Sequence, residues 1–596
     1  MTLLLLLFVS LHAQQPAPPF KLSEAEHAAL KTKLAGAARS ANPDVAIYAK
    51  AADWNLRHPD EFLTKAYYDN ALKLLDVGNA RAKDAALSWT KQKGRVARAY
   101  RSNVDGSIQP YTVIVPESYT GQPMRLDVVL HGRNARLNEV SFLADAEFGK
   151  PATVHPDRIE LHVYGRTNNA YRWAGEADVF EALDAVKSNY KIDEKRIVLR
   201  GFSMGGAGTW HIGLHYPTMW AATEAGAGFS ETRRYAKAEN APYHEQRAWP
   251  IYDAYLYARN ALLVPTVGYG SIDDPQLPAA VNVKEQLANE NLQPTDLRAL
   301  FLVGPAIGHK YAPESKKISE EFIQAALAEP RSERRRIRFL TYTTRYSKAG
   351  WIAIDGLEQH YSRGEVDAVR DGDVARIATK GVTHVKLASA MKVVIDGQEL
   401  HGSSLSKANG KWQVSADKGL RKRHGLQGPI DDAFLGSFLC VKPTGSARDA
   451  VAHRFAVERM ETFRANWDKF LRGDVRVKED RAVANEDIRE HHLVLFGDPG
   501  SNKMLAKVAG KLPFRWSAKQ IQIGGQVFDG EGQTLVAIYP NPLNPERYVV
   551  INSGHTFGER EFKGTNALLY PRLGDWAVFR ANGELAGAGF FDETWK

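Results

Sequence analysis

The feature that most constrains this chain is a serine between two glycines, Gly201-Phe202-Ser203-Met204-Gly205, where a predicted strand meets a predicted helix. Residues 197–199 form the short apolar run of a buried parallel strand. The helical pattern after the motif ends at Pro217. A tight strand-to-helix turn leaves no room for side chains beside the serine and exposes its hydroxyl above the sheet. The motif therefore predicts Ser203 as a nucleophile.

Two later segments supply the partners that a nucleophilic serine requires. A predicted strand over 261–269 is followed by Asp273 and Asp274. The Gly-x-x-Asp spacing favours Asp273, whereas an aspartate that precedes proline favours Asp274 as the alternative acid. His309 follows Gly308 in the loop after the last core strand. Serine, acid and histidine in this chain order are typical of one class of serine hydrolases. We expect a catalytic triad of Ser203, Asp273 and His309.

An apolar strand that ends at Leu130 leads into His131-Gly132-Arg133-Asn134. Such a loop, upstream of the serine motif, supplies a backbone N–H group to the developing oxyanion in serine hydrolases. We expect the N–H groups of Arg133 and Met204 to form the oxyanion hole, with His131 orienting the loop.

A further loop, residues 166–173, leaves the carboxyl end of its strand, where ligands bind in parallel sheets. Tyr171, Arg172 and Trp173 are the residues expected to form a substrate wall, and packing of Trp173 under the loop is the alternative. Residues 229–260 are rich in aromatic side chains, which suits an insertion over the site or ordinary packing.

Residues 90–329 resemble an α/β-hydrolase of the prolyl-oligopeptidase-like and esterase type. The resemblance rests on Asp193-Glu194-Lys195-Arg196-Ile197, on the serine motif continued to Gly206, and on Gly308-His309. That group includes feruloyl and acetylxylan esterases, polyhydroxybutyrate-depolymerase-like enzymes and peptidases. The resemblance implies a hydrolase of carboxylic esters that works through an acyl-enzyme and needs no cofactor. Two alternatives stay open: a serine peptidase of the prolyl-oligopeptidase kind, and a non-catalytic glycan-binding surface protein.

The remainder of the chain divides by pattern, and the fold class that we predict is α/β with additional domains. Short strands separated by turn pairs such as Asp371-Gly372 indicate a β-sandwich-like module after the hydrolase domain. The predicted segments are a signal peptide (1–15), a helical N-terminal segment (20–92), the α/β-hydrolase catalytic domain (93–329), a β-rich accessory module (337–424) and a C-terminal α/β domain (426–596).

The apolar run over 3–8 and the small residue Ala13 before Gln14 predict export, and thus a secreted or periplasmic protein. That run is too short to insert stably in a membrane. A net charge of +9 over 596 residues does not indicate a nucleic-acid partner. We expect an ester substrate, with polymeric carbohydrate as the plant-polymer partner.

Three further features are expected to carry no catalysis. Cys440, the single cysteine, lies in an apolar run and is predicted to be a core residue. The histidines are scattered, so no metal site is predicted. Residues 495–502 form a glycine-rich strand-to-helix loop that suits an anion, but they lack the lysine and hydroxyl residue of a nucleotide-binding loop.

Overall fold

The computed structural model describes residues 18–290, 297–329, 334–415 and 419–596. The chain splits into two compact units. Among the described residues, the first unit contains those up to Leu87 together with Arg136–Gly149, and the second contains those of Ser88–Ala135 and Lys150–Lys596. The predicted signal peptide, residues 1–15, lies outside the described residues, so it stays a prediction.

The first unit is helical. Its helices are α1 (Glu24–Ala35), α2 (Pro43–Arg57), α3 (Lys65–Lys83) and α4 (Glu139–Phe148). Helix α1 begins at a capping box, in which the Ser23 hydroxyl accepts from the Glu26 N–H and the Glu26 carboxylate accepts from the Ser23 N–H. Tyr48 and Arg81 both donate to the Glu147 carboxylate, which ties α4 to α2 and α3. The helical unit therefore extends beyond the segment predicted over 20–92, because it includes α4, which lies within the range predicted for the hydrolase domain.

The second unit begins with an eight-stranded sheet. Its strands are β1 (Gly94–Arg101), β2 (Ile108–Val115), β3 (Met124–Leu130), β4 (Arg158–Val163), β5 (Ile192–Phe202), β6 (Ala222–Gly226), β7 (Thr266–Ser271) and β8 (Ala299–Gly304). The order in the sheet is β1-β2-β4-β3-β5-β6-β7-β8. Strand β2 is antiparallel to both of its neighbours, and the strands from β4 to β8 are parallel. Its helices are α5 (Ala174–Asn189), α6 (Met204–His215), α7 (Tyr243–Ala248), α8 (Pro278–Ala288) and α9 (Pro313–Ala328).

The register of this sheet brings the carboxyl ends of its parallel strands to one edge. Leu130 of β3 pairs with Gly201 of β5, Phe202 with Gly226 of β6, and Ser271 of β7 with Gly304 of β8. The loops that follow β3, β5, β7 and β8 therefore open on the same side. That side is where ligands bind in open parallel sheets.

A cluster of charged side chains lies beside the sheet, between β3, β5, β6 and α9. The Arg200 guanidinium forms ion pairs with Asp127 at 2.8 Å, Glu224 at 3.2 Å and Glu320 at 2.5 Å. Lys316 of α9 also pairs with Glu224. Because Asp127 and Glu224 are buried, each carboxylate needs these cations to offset the cost of its desolvation.

The accessory module is a second eight-stranded sheet. Its strands are β9 (Arg336–Thr341), β10 (Lys348–Ala349), β11 (Ile352–Leu357), β12 (Gly364–Asp371), β13 (Val374–Lys380), β14 (Val382–Ile395), β15 (Gln398–Ala408) and β16 (Lys411–Val414). One edge of the long strand β14 pairs with β11 near its start and with β13 near its end, while β15 pairs along the other edge. The strands of this β-rich module are connected into one branched sheet, since β14 is long enough to hold three partners. The prediction of a sandwich-like module stays a prediction.

The C-terminal domain is an α/β structure around a seven-stranded sheet with the order β18-β17-β19-β24-β23-β25-β26. Its strands are β17 (Phe438–Lys442), β18 (Val477–Glu479), β19 (His492–Leu495), β20 (Arg515–Trp516), β21 (Gln520–Ile523), β22 (Gln526–Asp529), β23 (Thr534–Asn541), β24 (Asn544–Ile551), β25 (Trp576–Phe579) and β26 (Leu585–Gly589), of which β20 to β22 form a separate small sheet. Its helices are α10 (Ala450–Leu471), α11 (Asn485–Glu490), α12 (Lys503–Ala509) and α13 (Glu559–Lys563). Cys440 is fully buried in β17, as predicted, and burial raises the pKa of its thiol.

The glycine-rich loop over 495–502 does not offer a free anion cradle. The Asp498 carboxylate accepts hydrogen bonds from the N–H groups of Gly500 and Ser501 inside the loop, and from that of Arg448. Asn502 caps α12. The loop pattern allows an anion at this helix start, but these donors are already satisfied by the carboxylate of the loop itself.

Candidate functional site

Ser203 occupies a strained turn between β5 and α6, with φ of 60° and ψ of −122°. A Cβ atom added to Gly201 would lie 2.1 Å from the carbonyl oxygen of Gly205, and one added to Gly205 would lie 2.0 Å from that of Leu130. Only glycine fits at these two positions, which explains the spacing of the motif. Strain of this kind costs about 1–3 kcal/mol and persists where the surrounding structure enforces it.

The Ser203 hydroxyl lies 2.8 Å from His309 Nε2, and His309 Nδ1 lies 2.8 Å from Asp274 Oδ2. A buried carboxylate at Nδ1 accepts a hydrogen bond from the Nδ1–H group, so Nε2 is left free to accept the serine proton. The Asp274 side chain is fully buried, whereas that of His309 is 40 % exposed. This geometry is that of a serine nucleophile, a general base and an orienting acid.

Asp274, not Asp273, contacts the imidazole, so the preference for Asp273 is wrong. The Asp273 carboxylate is exposed and accepts the Gly308 N–H at 2.9 and 3.1 Å. Its neighbour turns inward because the Asp274 N–H donates to the carbonyl of Ser271, at the end of β7. Asp274 Oδ1 then accepts the N–H of Gln276, so one carboxylate both closes the turn and orients the imidazole.

The loop after β3 lies beside the serine. A Cβ atom on Gly132 would be 3.5 Å from the Cβ of Ser203. Both ring nitrogens of His131 face carbonyl oxygens, that of Gly132 at 2.8 Å and that of Tyr164 at 3.0 Å. Burial lowers the pKa of His131, and its two carbonyl contacts link the loop after β3 to the end of β4. Arg133 follows Gly132 in this loop, and Met204 begins α6 directly after Ser203. The assignment of their N–H groups to the oxyanion hole stays a prediction.

Tyr171, Arg172 and Trp173 do not form a substrate wall, because all three are buried. The Tyr171 hydroxyl donates to the carbonyl of His131 at 3.2 Å. Arg172 donates to the carbonyls of Ala567 and Leu569, and the Trp173 indole N–H donates to that of Leu569 at 3.0 Å. The loop leaves the expected edge of the sheet, but a segment of the C-terminal domain covers it.

Most of the aromatic residues over 229–260 lie in the core, which agrees with ordinary packing and not with an insertion over the site. Trp249, Tyr252 and Tyr257 are buried. Tyr235 is half-buried and stacks on Phe229, with ring centroids 4.7 Å apart. Its hydroxyl accepts from Gln276 and interacts with the side chain of Thr565.

The contribution of the C-terminal domain to this region is the part that sequence reasoning missed. The Arg133 guanidinium donates to the carbonyls of Gly564 at 2.7 Å and Lys563 at 3.4 Å. The Asn566 amide donates to the carbonyl of Asn168 at 2.8 Å. No local pattern links residues more than 350 positions apart in the chain, so nothing in the sequence alone marks this contact.

Two properties of the described residues bear on other chemistry. No group of three or more His, Cys, Asp or Glu side chains there is arranged to hold a metal ion. Among the helices of the described ranges, none combines the length and the apolar character that crossing a bilayer requires.

The comparison with protein families gives one match that spans the loop after β4, the serine motif and the insertion that follows it. Residues 166–266 match the prolyl oligopeptidase family, Peptidase_S9. The second unit contains an α/β-hydrolase fold. The parallel sheet, the strained Ser203 turn and the match agree on this fold for the first sheet of the second unit. With the triad geometry, the match supports an enzyme of the serine hydrolase class.

A search of curated proteins gives no match. Solved structures similar to this α/β-hydrolase include a fluorophosphonate-binding serine hydrolase F of Staphylococcus aureus, with 17 % identity and a TM-score of 0.30 over 40 % of this chain and 100 % of that chain. A ferulic acid esterase has 17 % identity and a TM-score of 0.29, over 40 % of this chain and 99 % of that one. A puromycin-hydrolyzing peptidase of Mycobacterium tuberculosis has 17 % identity and a TM-score of 0.29, over 40 % of both chains.

Proposed function

We propose that this α/β-hydrolase cleaves carboxylic esters through an acyl-enzyme formed on Ser203. The observation that carries the proposal is the continuous path of hydrogen bonds from the Ser203 hydroxyl through both ring nitrogens of His309 to the carboxylate of Asp274. A hydroxyl on a strained turn, next to a base that a buried acid orients, is an activated nucleophile.

The reaction follows from the placement of these groups. Ser203 Oγ attacks the ester carbonyl carbon while His309 Nε2 takes the hydroxyl proton, and the Asp274 carboxylate stabilises the imidazolium that forms. The carbonyl oxygen gains negative charge, which the backbone N–H groups of Arg133 and Met204 stabilise. Collapse of the tetrahedral intermediate breaks the bond to the alcohol, which leaves with the proton from His309. Water then attacks the acyl-enzyme by the same steps, releases the acid and restores Ser203.

A serine peptidase is the second candidate, and the match to the prolyl oligopeptidase family favours it. The domain composition favours esters. In the described part of the chain, the domains other than the hydrolase domain are a helical unit, a branched β-sheet and an α/β domain, not the radial blades of a propeller. In the prolyl oligopeptidases that the sequence resembles, such a propeller limits which peptides reach the active site.

For the substrate we propose a feruloyl or acetyl ester of a plant-polymer carbohydrate, acted on outside the cytoplasm. The support is the sequence resemblance to carbohydrate esterases and the signal-like run over 1–15. Export is tested by expressing the full chain and sequencing the N-terminus of the protein recovered outside the cytoplasm. A mature chain that begins near Gln14 is expected, and retention of Met1 would contradict export.

The catalytic proposal is tested with Ser203→Ala. The variant loses the nucleophile but keeps the fold, so we expect hydrolysis of a p-nitrophenyl ester and labelling by a fluorophosphonate probe to disappear, with unchanged circular dichroism. Undiminished hydrolysis by this variant would refute the proposal. Activity of the wild type on feruloylated and acetylated sugars, compared with a proline-containing chromogenic peptide, separates the esterase from the peptidase. A wild-type protein that resists the probe would favour the non-catalytic glycan-binding alternative.

A further inference from the structure

We propose that residues 563–566 of the C-terminal domain, the clamp segment, position the loop after β3 that contains Arg133 and Asn134, the oxyanion loop. The inference rests on the proposed function, since it assigns a role toward the same Ser203 site. It makes the C-terminal domain part of the catalytic unit and not a separable accessory domain. Its residues act through the loop after β3 and do not contact substrate themselves.

The first contact involves Arg133, whose backbone N–H group is the expected oxyanion donor. The Arg133 side chain reaches the end of α13 and donates to the carbonyls of Lys563 and Gly564. Carbonyls at a helix C-terminus lack intrahelical partners, so they are good acceptors for a cation. The guanidinium makes two bonds to adjacent carbonyls, and this two-point contact fixes the direction in which residue 133 is held.

The second contact holds the next residue of the loop. Asn134 and Asn168 are joined by two hydrogen bonds, from the Asn134 N–H to Asn168 Oδ1 and from Asn168 Nδ2 to the Asn134 carbonyl, both at 2.9 Å. The Asn566 side chain in turn donates to the backbone carbonyl of Asn168 at 2.8 Å. The clamp segment therefore holds the oxyanion loop at two successive residues, one directly and one through the loop after β4.

The clamp segment is itself firmly held against the hydrolase domain. The chain that follows it accepts hydrogen bonds at Ala567 and Leu569 from the buried side chains Arg172 and Trp173. Asn566 and Ala567 are buried. Because buried hydrogen bonds are costly to leave unmade, the segment has little freedom to move away from the loop. A rigid support is what an oxyanion hole requires, since its donors act only when they are fixed before the charge forms.

Two variants remove the contacts and keep the backbone donor. Arg133→Ala deletes the guanidinium but retains the N–H of residue 133, and Asn566→Ala deletes the amide that holds Asn168. Arg560→Ala, on the exposed face of α13, is the matched control because its side chain is 86 % exposed and contacts neither loop. Arg133→Lys keeps the charge on a single donor nitrogen, so it should restore part of the lost rate.

The readouts separate positioning from folding and from substrate binding. A donor displaced by about 1 Å costs up to about 100-fold in rate. We therefore expect Arg133→Ala and Asn566→Ala to lower kcat on a p-nitrophenyl ester about 10- to 100-fold, with KM within about twofold of the wild-type value. Affinity for a trifluoromethyl ketone, whose tetrahedral adduct uses the same donors, should fall in parallel. The KM and the circular dichroism spectrum should change little, which a merely structural role of these residues would not predict.

The inference fails if both variants stay folded and keep kcat within about twofold of the wild type, or if Arg560→Ala loses as much activity as they do. Its failure is distinguishable from failure of the proposed function, because the rate of fluorophosphonate labelling at Ser203 also depends on the oxyanion donors and needs no ester substrate. Normal labelling rates in Arg133→Ala and Asn566→Ala would overturn the clamp alone. Absence of labelling in the wild type would overturn the proposed function.

Discussion

Replacing each of the two consecutive acids after β7 by asparagine gives the sharpest test of the site. Asp274→Asn puts an amide at His309 Nδ1, where the structure has a carboxylate oxygen at 2.8 Å. An amide NH₂ group facing Nδ1 would favour the tautomer with its proton on Nε2, which cannot accept the serine proton. In a serine protease the equivalent change lowers kcat by about 10⁴-fold. We expect a loss of that order here, or about 5 kcal/mol of transition-state stabilisation.

Asp273→Asn is the matched variant one residue earlier. The Asp273 carboxylate accepts only the Gly308 N–H among the contacts described, and an asparagine side-chain oxygen retains that bond. Because the residue is exposed, no buried charge is lost. We expect kcat to stay within about threefold of the wild-type value.

Both variants are measured by kcat and KM on a p-nitrophenyl ester, with circular dichroism melting curves to show that each is folded. The assignment of Asp274 would be refuted if Asp273→Asn lost about 10⁴-fold while Asp274→Asn remained active. Equal and small losses in both would show that no carboxylate orients His309 in the working enzyme.

Two further predictions concern the stability of the α/β-hydrolase domain. Although burial alone would raise it, the Arg200 guanidinium lowers the pKa of Glu320 to about 2, from 4.5 in an unfolded chain. A lowered carboxyl pKa stabilises the folded state above pH 4.5, and this stability is lost as the pH falls from 4.5 toward 2. Glu320→Gln should therefore lower the melting temperature at pH 7 and make it less dependent on pH between 4.5 and 2. The control Glu321→Gln, at an exposed neighbouring position, should leave both properties unchanged. Identical acid profiles for Glu320→Gln and the wild type would contradict the ion pair. Gly205→Ala would place a Cβ 2.0 Å from the Leu130 carbonyl oxygen, so we expect urea unfolding to show a destabilisation of about 3 kcal/mol or more. The control Gly36→Ala should be tolerated, because its Cβ would lie 3.6 Å from the nearest atom. A Gly205→Ala protein as stable as the wild type would show that the turn can relax.

The turn around Ser203 could be read from the sequence because its cause is local. Gly201 and Gly205 are required by atoms within four residues or on the adjacent strand, and both requirements appear as spacing. The choice between Asp273 and Asp274 could not be read in this way. Adjacent residues of a turn point in different directions, and the Asp274 N–H bond to Ser271 decides which one faces His309.

The surroundings of the site were beyond local reasoning for a different reason. The sequence places residues 166–173 correctly after β4, at the edge where ligands bind. What covers those residues is the clamp segment and the chain after it, which come from a domain that follows the intervening accessory module. The carboxyl edge of a parallel sheet is open to any segment that reaches it. A sequence pattern can therefore locate this edge, but it cannot show whether a substrate or a distant part of the chain covers it.

A comparison within the molecule shows what distinguishes the nucleophile from its backbone setting. Trp173 has φ of 56° and ψ of −125°, almost the values of Ser203, and it too precedes a helix and is followed two residues later by a glycine. A Cβ at Gly175 would lie 2.2 Å from Asn169 Oδ1, a side-chain atom, whereas at Gly205 the nearest atom is a backbone oxygen. Yet Trp173 is buried and its indole is bonded to Leu569, whereas the Ser203 hydroxyl meets a partly exposed imidazole. Backbone strain at the residue before a helix therefore does not by itself make the side chain reactive. The reactivity of Ser203 comes from the histidine and the buried acid that the carboxyl edge of the sheet brings to it.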